Sequence, residues 1–589
     1  IDISTLTTDG EDKLWNNPPS MGAYEYPWVF YVSNAGNDSS LGYLENEAWQ
    51  TLSKIDNESY NPGNQILFNK GDTWRDDTTE IVAPGRLLTI DSSGLPDNYI
   101  TFSSYGSGDK PKIYGSTNRS SYTLDSSFVN VYVCDASVRY DPWDLPAWGT
   151  YYGSLFFQMD SSVEWGDDHQ TTLGNLTTNF QWTYDDGSIY FYYDSAIADV
   201  NSIEVTQWPN GFILYGGYIT IDGLEIKYFQ RNCIGEGMYP ERNGVVGRNV
   251  RNCELAYTSI REGGVGYGIG LWSSDMIFER NNIHNNGRRN ISINKTEQTS
   301  PGSQSSNILV QDNYLHDGFH TVGVDMATQG QYHTFSDVTI RRNVVWNPPT
   351  IDNSAFSIAM NFIENNGAEG NISDVYFYSN AILNSPASGL QIHAVINSHI
   401  INNTFVGFPY NLPGGFGFLS YLGSGSAHAT TTIKNNIFYD YPNEYGLYTS
   451  IWPVTDMSIL ELDYNLYYAG DDDNYLVGGS GIDGSTYKQS QWDLLQQAGW
   501  ELNSLTPPQE PLMVDFYNDA RLTVNSPARG AGVAVDFVTL DASGFSMNSP
   551  PDIGAYQYQS SGEINNPAHS VNFNNIPLMW GGRPIRWVT

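Results

Sequence analysis

The chain has 589 residues and a formal net charge of −38. Apolar residues make up 40% and charged residues only 16%, which allows a large core and excludes a disordered polyelectrolyte. The negative balance excludes a nucleic-acid partner, which needs a basic footprint, and argues against docking on anionic lipid.

Tyr (41), Trp (16) and Gly (57) are abundant, a profile that suits a β-rich, turn-rich extracellular protein. Cys134, Cys233 and Cys253 are too few for a disulfide framework. No apolar run reaches about 18 residues, so no membrane insertion is expected. No signal peptide is visible, and the abrupt start at Ile1 is compatible with an upstream signal or domain.

Residues 1–27 read as the end of a preceding module. Met21-Gly22-Ala23-Tyr24-Glu25-Tyr26 nearly repeats Ile553-Gly554-Ala555-Tyr556-Gln557-Tyr558 near the other end. Residues 28–115 carry short strands around Tyr31-Val32-Ser33-Asn34-Ala35-Gly36-Asn37-Asp38 and a Gly71-Asp72-Thr73 turn. Residues 116–212 are rich in Tyr, Trp and Asp, with a hairpin signal at Asp185-Asp186-Gly187-Ser188. They read as a small inserted β-domain.

Residues 213–470 hold the organising repeat. An apolar residue, two variable ones, a small, amide or apolar residue, one variable position and another apolar residue recur. Leu224 and then Cys253 take the fourth place, followed by Asn281, Asn313, Asn343, Asn380, Asn403, Asn436 and Asn465, with gaps of 23 to 37 residues. A period in this range marks a stacked repeat, and the period-two alternation within each unit marks strands. The expected fold is all-β: a single-stranded parallel β-helix whose asparagines stack in one structural file, with the length variation taken up by loops.

After residue 470 the pattern fades into a C-terminal cap over 471–560. Asp471-Asp472-Asp473-Asn474 is a candidate calcium loop, solvated carboxylates being the plainer reading. Gln489 to Gly499 reads as one short helix. The tail, 561–589, carries Trp580 and Trp587 and is a candidate for docking a partner chain in a homotrimer or larger assembly, or for folding back.

The Tyr31 strand, the Gly71-Asp72-Thr73 turn and the closing Ser526-Pro527-Ala528-Arg529-Gly530 and Gly554-Ala555-Tyr556 segments resemble right-handed parallel β-helix proteins of the pectate-lyase-like superfamily. The resemblance covers about 28–115 and 213–560. It implies the fold and leaves chemistry open, because the superfamily includes polysaccharide lyases, glycoside hydrolases and phage tailspikes. No residue role is carried over from it.

Each repeat has a further strand beyond the column residue. Aligning 268–272, 290–294, 323–326, 357–361 and 389–393 turns the apolar members inward. Trp272, Asn294, Asp325, Asn361, Gln391 and His393 then share one outer face, the floor of a groove for a polysaccharide. Asp325 sits at a point where the alignment can slip by one step. Arg261, Glu262, Arg288, Arg289, Lys295, His316, Asp317, His320, Asp352 and Glu364 fall on loops beside it. From Lys227 to Arg342 there are 12 Lys or Arg and 11 Asp or Glu, a balanced patch on an acidic chain that suits an anionic glycan or ordinary ion pairing.

Two mechanisms fit. In β-elimination Lys295, Arg261, His320 or His393 would remove a proton next to a uronate carboxylate. In hydrolysis Asp325 would work with Glu262, Asp352 or Glu364. Trp272, Asn294, Asn361, Gln391, Arg288 and Arg289 would bind the sugar. The competing reading is a non-catalytic glycan-binding adhesin, or a tailspike or fibre module of a virion or surface assembly.

Overall fold

The computed structural model describes residues 28–75, 86–135, 155–160, 162–166, 170, 172–185, 187–194, 200–236, 246–259, 266–295, 303–318, 321–328, 333–346, 358–364, 372–385, 388–393, 395–407, 416–422, 430–439, 447–451, 460–469, 475–478, 485–507, 509–559, 579–580 and 583–584. The readings placed on 1–27, Arg261, Glu262, His320, Asp352, Asp471 to Asn474 and most of the tail lie outside these residues.

Each turn of the chain visits three strands in sequence, as in Ser274–Glu279, Asn282–His284 and Arg289–Lys295. Equivalent strands of successive turns pair in parallel and build three long sheets. The first runs from Val29–Val32 to Leu460–Asp463, the second from Thr73–Arg75 to Leu466–Tyr468, and the third from Arg86–Ile90 to Tyr475–Gly478, with Thr486–Lys488 added antiparallel at its end. This is a right-handed parallel β-helix, the hand that parallel crossovers take. One apolar core fills it. Residues such as Phe278, Ile283 and Ile291 from the three sheets meet inside, fully buried.

The corner between the first and second sheets explains the repeat. Asn252, Arg280, Asp312, Arg342, Ser379, Asn402, Asn435 and Tyr464 are all left-handed, with φ between 51° and 59°. Each directly precedes a column residue. A left-handed non-glycine residue costs about 1–2 kcal/mol, and the column offsets it. Each asparagine Oδ1 accepts the backbone N–H of the column residue one turn earlier, from Asn281 to Cys253 at 2.9 Å down to Asn465 to Asn436 at 2.9 Å. Its Nδ2 donates onward, as from Asn313 to Asn343 Oδ1 at 3.0 Å, and to a first-sheet carbonyl such as Phe278 O at 2.9 Å. Net hydrogen bonds of this kind contribute about 0.5–1.5 kcal/mol each.

The file ends on Glu501, which accepts from Asn465 Nδ2 at 3.1 Å and Tyr467 Oη at 2.5 Å, while the Ser504 hydroxyl takes the Asn465 N–H at 2.8 Å. Burial pushes the Glu501 carboxyl up to about 7, against the lowering effect of these hydrogen bonds. The helix expected at 489–499 is Trp492–Gln497, whose Trp492 and Leu495 close the last turn of the core.

Between Lys112–Tyr114 and Asn210–Leu214 the chain leaves the coil and forms two four-stranded antiparallel sheets. The hairpin signal is realised as the Asp185–Ser188 pairing. Leu155, Phe157, Trp182, Ile189, Phe191, Ile203 and Val205 form a separate core there. Phe156 joins it to the second sheet by packing on Tyr228 and Tyr257, with Arg75 and Glu204 paired beside it.

The segment after the closing helix does more than cap an end. Met513, Leu522, Ala528, Ile553 and Ala555 pack on Ala381, Leu383, Val406, Ile437 and Tyr439, so residues 513–555 return along the outside of the second sheet. Trp346 Nε1 donates to Tyr517 O at 3.2 Å and Asn402 Nδ2 to Asp552 O at 2.9 Å.

Candidate functional site

Two outer faces carry chemistry. On the third sheet Ile291 pairs with Val324, Ser292 with Asp325 and Asn294 with Ala327, while Asp325 pairs with Asn361 and Asn361 with Gln391. Ile269, Ile291, Ile293, Val324, Met326, Leu390 and Ile392 are core residues, so alternation turns Gly270, Ser292, Asn294, Asp325 and Gln391 outward. The irregularity near Asp325 is a bulge between Thr321 and Val324 that leaves Asp325 in register. Asn361 corrects the alignment. It stands two positions from where the repeat placed it, in the file of Asp325 and Gln391 rather than that of Asn294.

The face is not an open floor. Arg289 Nε lies 3.1 Å from Asp325 Oδ2, with side-chain exposures of 7% and 0%. The N–H points off the line to that oxygen, so the two attract as an ion pair without a hydrogen bond along it. The Arg289 guanidinium is 5.7 Å from the Tyr267 ring centre, and that ring lies across Gly270, where a Cβ would meet it at 3.0 Å. Burial and the neighbouring Arg289 push the Arg288 guanidinium below its usual range. Trp272 is partly buried, and its N–H donates to Glu236 Oε2 at 3.0 Å. Asn294 is 4% exposed, and neither its amide oxygen nor its nitrogen has a hydrogen-bond partner. A buried polar group left unmade costs about 1–3 kcal/mol.

Lys295 pairs with Thr328 and Thr328 with Glu364, which places these two candidates in one register file. His393 ends its strand opposite Tyr421. His316 and Asp317 are not beside this face. His316 belongs to the second sheet, in the strand Tyr314–His316, because three residues after Asn313 the chain has not yet turned the next corner.

The second-sheet face was missed from sequence. Its strands are triplets with an inward centre: Glu225-Ile226-Lys227, Glu254-Leu255-Ala256, Asn282-Ile283-His284 and Tyr314-Leu315-His316. Written one under another they show the outward file of titratable groups. Lys227 reaches both Glu225, at 3.0 Å, and Glu254, and Tyr114 donates to Glu225. His284 stacks on His316 with ring centres 4.7 Å apart. His284 Nε2 is 3.4 Å from Glu254 Oε1, and its Nδ1 is 2.7 Å from Asn285 Oδ1. His316 Nδ1 lies 2.5 Å from Asp317 Oδ2, and its Nε2 3.0 Å from Asn282 Oδ1.

Burial works against the charge of Lys227, but Glu254 and Glu225 outweigh it and raise the ammonium above its usual range. Burial likewise opposes the Glu254 carboxylate, and His284 and Lys227 hold it well below the usual value. Burial pushes His316 down, with Asp317 offsetting only part. Among the described residues no group of three or more His, Cys, Asp or Glu is placed to hold a metal, and no helix is long and apolar enough to cross a membrane.

No family model matches the chain. A lacto-N-biosidase of Bifidobacterium longum subsp. longum is 24% identical over 36% of this chain and 16% of that enzyme, so the chain spans well under a fifth of this curated relative. Among solved structures, the pectate lyase Pel9A is similar over 91% of this chain and 97% of its own, at 14% identity and a TM-score of 0.49. The GH136 lacto-N-biosidase of Eubacterium ramulus is similar over 77% and 67%, at 12% identity and a TM-score of 0.36. The three parallel sheets and the single asparagine file, rather than these distant likenesses, carry the assignment. In fold, this chain is a right-handed parallel β-helix.

Proposed function

We propose that the chain is a carbohydrate-active enzyme that hydrolyses glycosidic bonds on the outer face of its third sheet. The observation that carries this reading is the Arg289–Asp325 pair, a carboxylate and a guanidinium withdrawn from solvent on the outside of the coil. Hydrolysis of a glycoside uses two carboxylates across the bond. Asp325 is one, and Glu262, Asp352 and Glu364 are the candidates for the other. The likeness to a protein named as a lacto-N-biosidase favours glycoside cleavage over elimination. Because Asp325 is fully shielded, access to it requires displacement of whatever covers it. A polymeric substrate places the work outside the cell.

Product analysis on a panel of neutral and acidic glycans tests the reading. New reducing ends without ultraviolet absorbance of an unsaturated uronate are expected, and Asp325→Asn lowers turnover by about 100-fold or more, the scale of a lost acid–base group. Unsaturated products would replace hydrolysis by elimination. Binding without cleavage would replace the enzyme by a glycan-binding module.

A further inference from the structure

Many buried polar groups in the described coils are matched by protein partners. Arg248 stands at an inward position of the first sheet, and even there its guanidinium is met by Leu214 O, Gly216 O, Ser273 Oγ and Glu236. Among the described residues Asn294 is the one side chain with both of its polar atoms buried and unpartnered. It lies on the outward side of the strand Arg289–Lys295, two residues from Ser292, and Ser292 pairs with Asp325. One turn earlier Gly270 pairs with Ser292, and the Tyr267 ring lies across Gly270.

A side-chain amide offers a donor and an acceptor side by side. Its complement is a group with the same pair: two adjacent hydroxyls, or an acetamido N–H and C=O. The nearby guanidinium of Arg289 already faces Asp325 and is not left over for a substrate carboxylate. The aromatic neighbour Tyr267 is partly exposed and suits the apolar face of a pyranose. We propose that Asn294 is the specificity-determining contact of a subsite for a neutral sugar unit, bound through a paired donor and acceptor next to Asp325. The proposal rests on the glycan reading above and adds the charge class and the residue that reads it.

The test uses the full chain with Asn294→Leu and Asn294→Asp. Calorimetry measures binding of N-acetylglucosamine oligomers, unsubstituted galactose and glucose oligomers, and galacturonate oligomers, and a thermal melt is recorded for each protein. The expected result is that a neutral series binds best and that both variants lose at least about tenfold in affinity for it. Asn294→Leu keeps or raises the melting temperature, because no native hydrogen bond is removed. The acetylated and unsubstituted arms tell the acetamido group from the hydroxyl pair. A lower melting temperature for Asn294→Leu, a preference for galacturonate, or equal binding by wild type and variants would overturn the proposal. If the wild type cleaves a glycan and the variants bind it unchanged, only this inference falls. If the wild type neither binds nor cleaves any glycan, both readings fall.

Discussion

The outer faces of the second and third sheets belong to the same turns of chain and treat polarity in opposite ways. On the second, Lys227 sits between Glu225 and Glu254, Glu254 meets His284, and His316 has Asp317 and Asn282. Every charge there has a partner of its own. On the third, the Arg289–Asp325 pair is off-axis and the Asn294 amide is unmatched. A closed network holds a structure together, whereas an open one keeps binding capacity in reserve. The richer set of titratable groups is therefore the less promising place to look for substrate.

Three experiments break or sharpen that contrast. The largest effect is expected from Lys227→Met, which leaves Glu225 and Glu254 facing each other without a cation. Removing one partner of a buried pair costs about 3–5 kcal/mol. A clear drop in melting temperature is expected, with little change in glycan affinity. Lost affinity at unchanged stability would reverse the roles of the two faces.

The next is the pH dependence of melting. His316 is held below its ordinary value, so on acidification through about pH 6.5 the unfolded chain takes up a proton that the folded chain refuses. Stability from this group is thus full above that range and declines as pH falls. Glu501, raised from 4.5 to about 7, acts in the other sense: its contribution is full below 4.5 and is lost as pH rises to about 7. Melts of the wild type and His316→Gln between pH 8 and pH 5 separate them. The variant should lose the acid-side decline and keep the Glu501 slope. Identical profiles would mean that His316 is not held neutral.

The smallest effect is expected from Gly270→Ala. Its methyl group would press on the Tyr267 ring at 3.0 Å, and the ring has to lift. The cost is about 1 kcal/mol, at the low end for overpacking. Glycan affinity should fall by more than that strain alone lowers stability. An unchanged affinity would remove Tyr267 from the binding face.

The asparagine file was legible because one residue type recurs at one corner, and each member is positioned by the next through a direct hydrogen bond. The outward parity of Asn294, Asp325 and Gln391 was legible because strict alternation survives in those strands, whereas Trp272 lies past the end of its strand and packs on the interior core. Asn361 was placed two positions out. Its strand falls within the longest interval between column residues, the 37 residues from Asn343 to Asn380, and apolar Ile358 and Met360 fit either register. The second-sheet cluster escaped notice because three-residue strands give too short a window for periodicity. The return of residues 513–555 left no local signal. It depends on apolar side chains such as Leu383 and Val406, which look like ordinary strand residues until their outward direction is known.

That returning segment sets an order of events for a chain made from its N-terminus. The turns from Trp346 to Tyr468 can stack as soon as they emerge, yet they present a greasy outer stripe of Leu383, Val406, Ile437 and Tyr439 to water. Cover arrives only with Met513 to Ala555, more than a hundred residues after Leu383 and Val406. Until then the growing rod is adhesive along one side. A product stopped short of Met513 would keep that side bare and gather with its own kind instead of remaining dispersed.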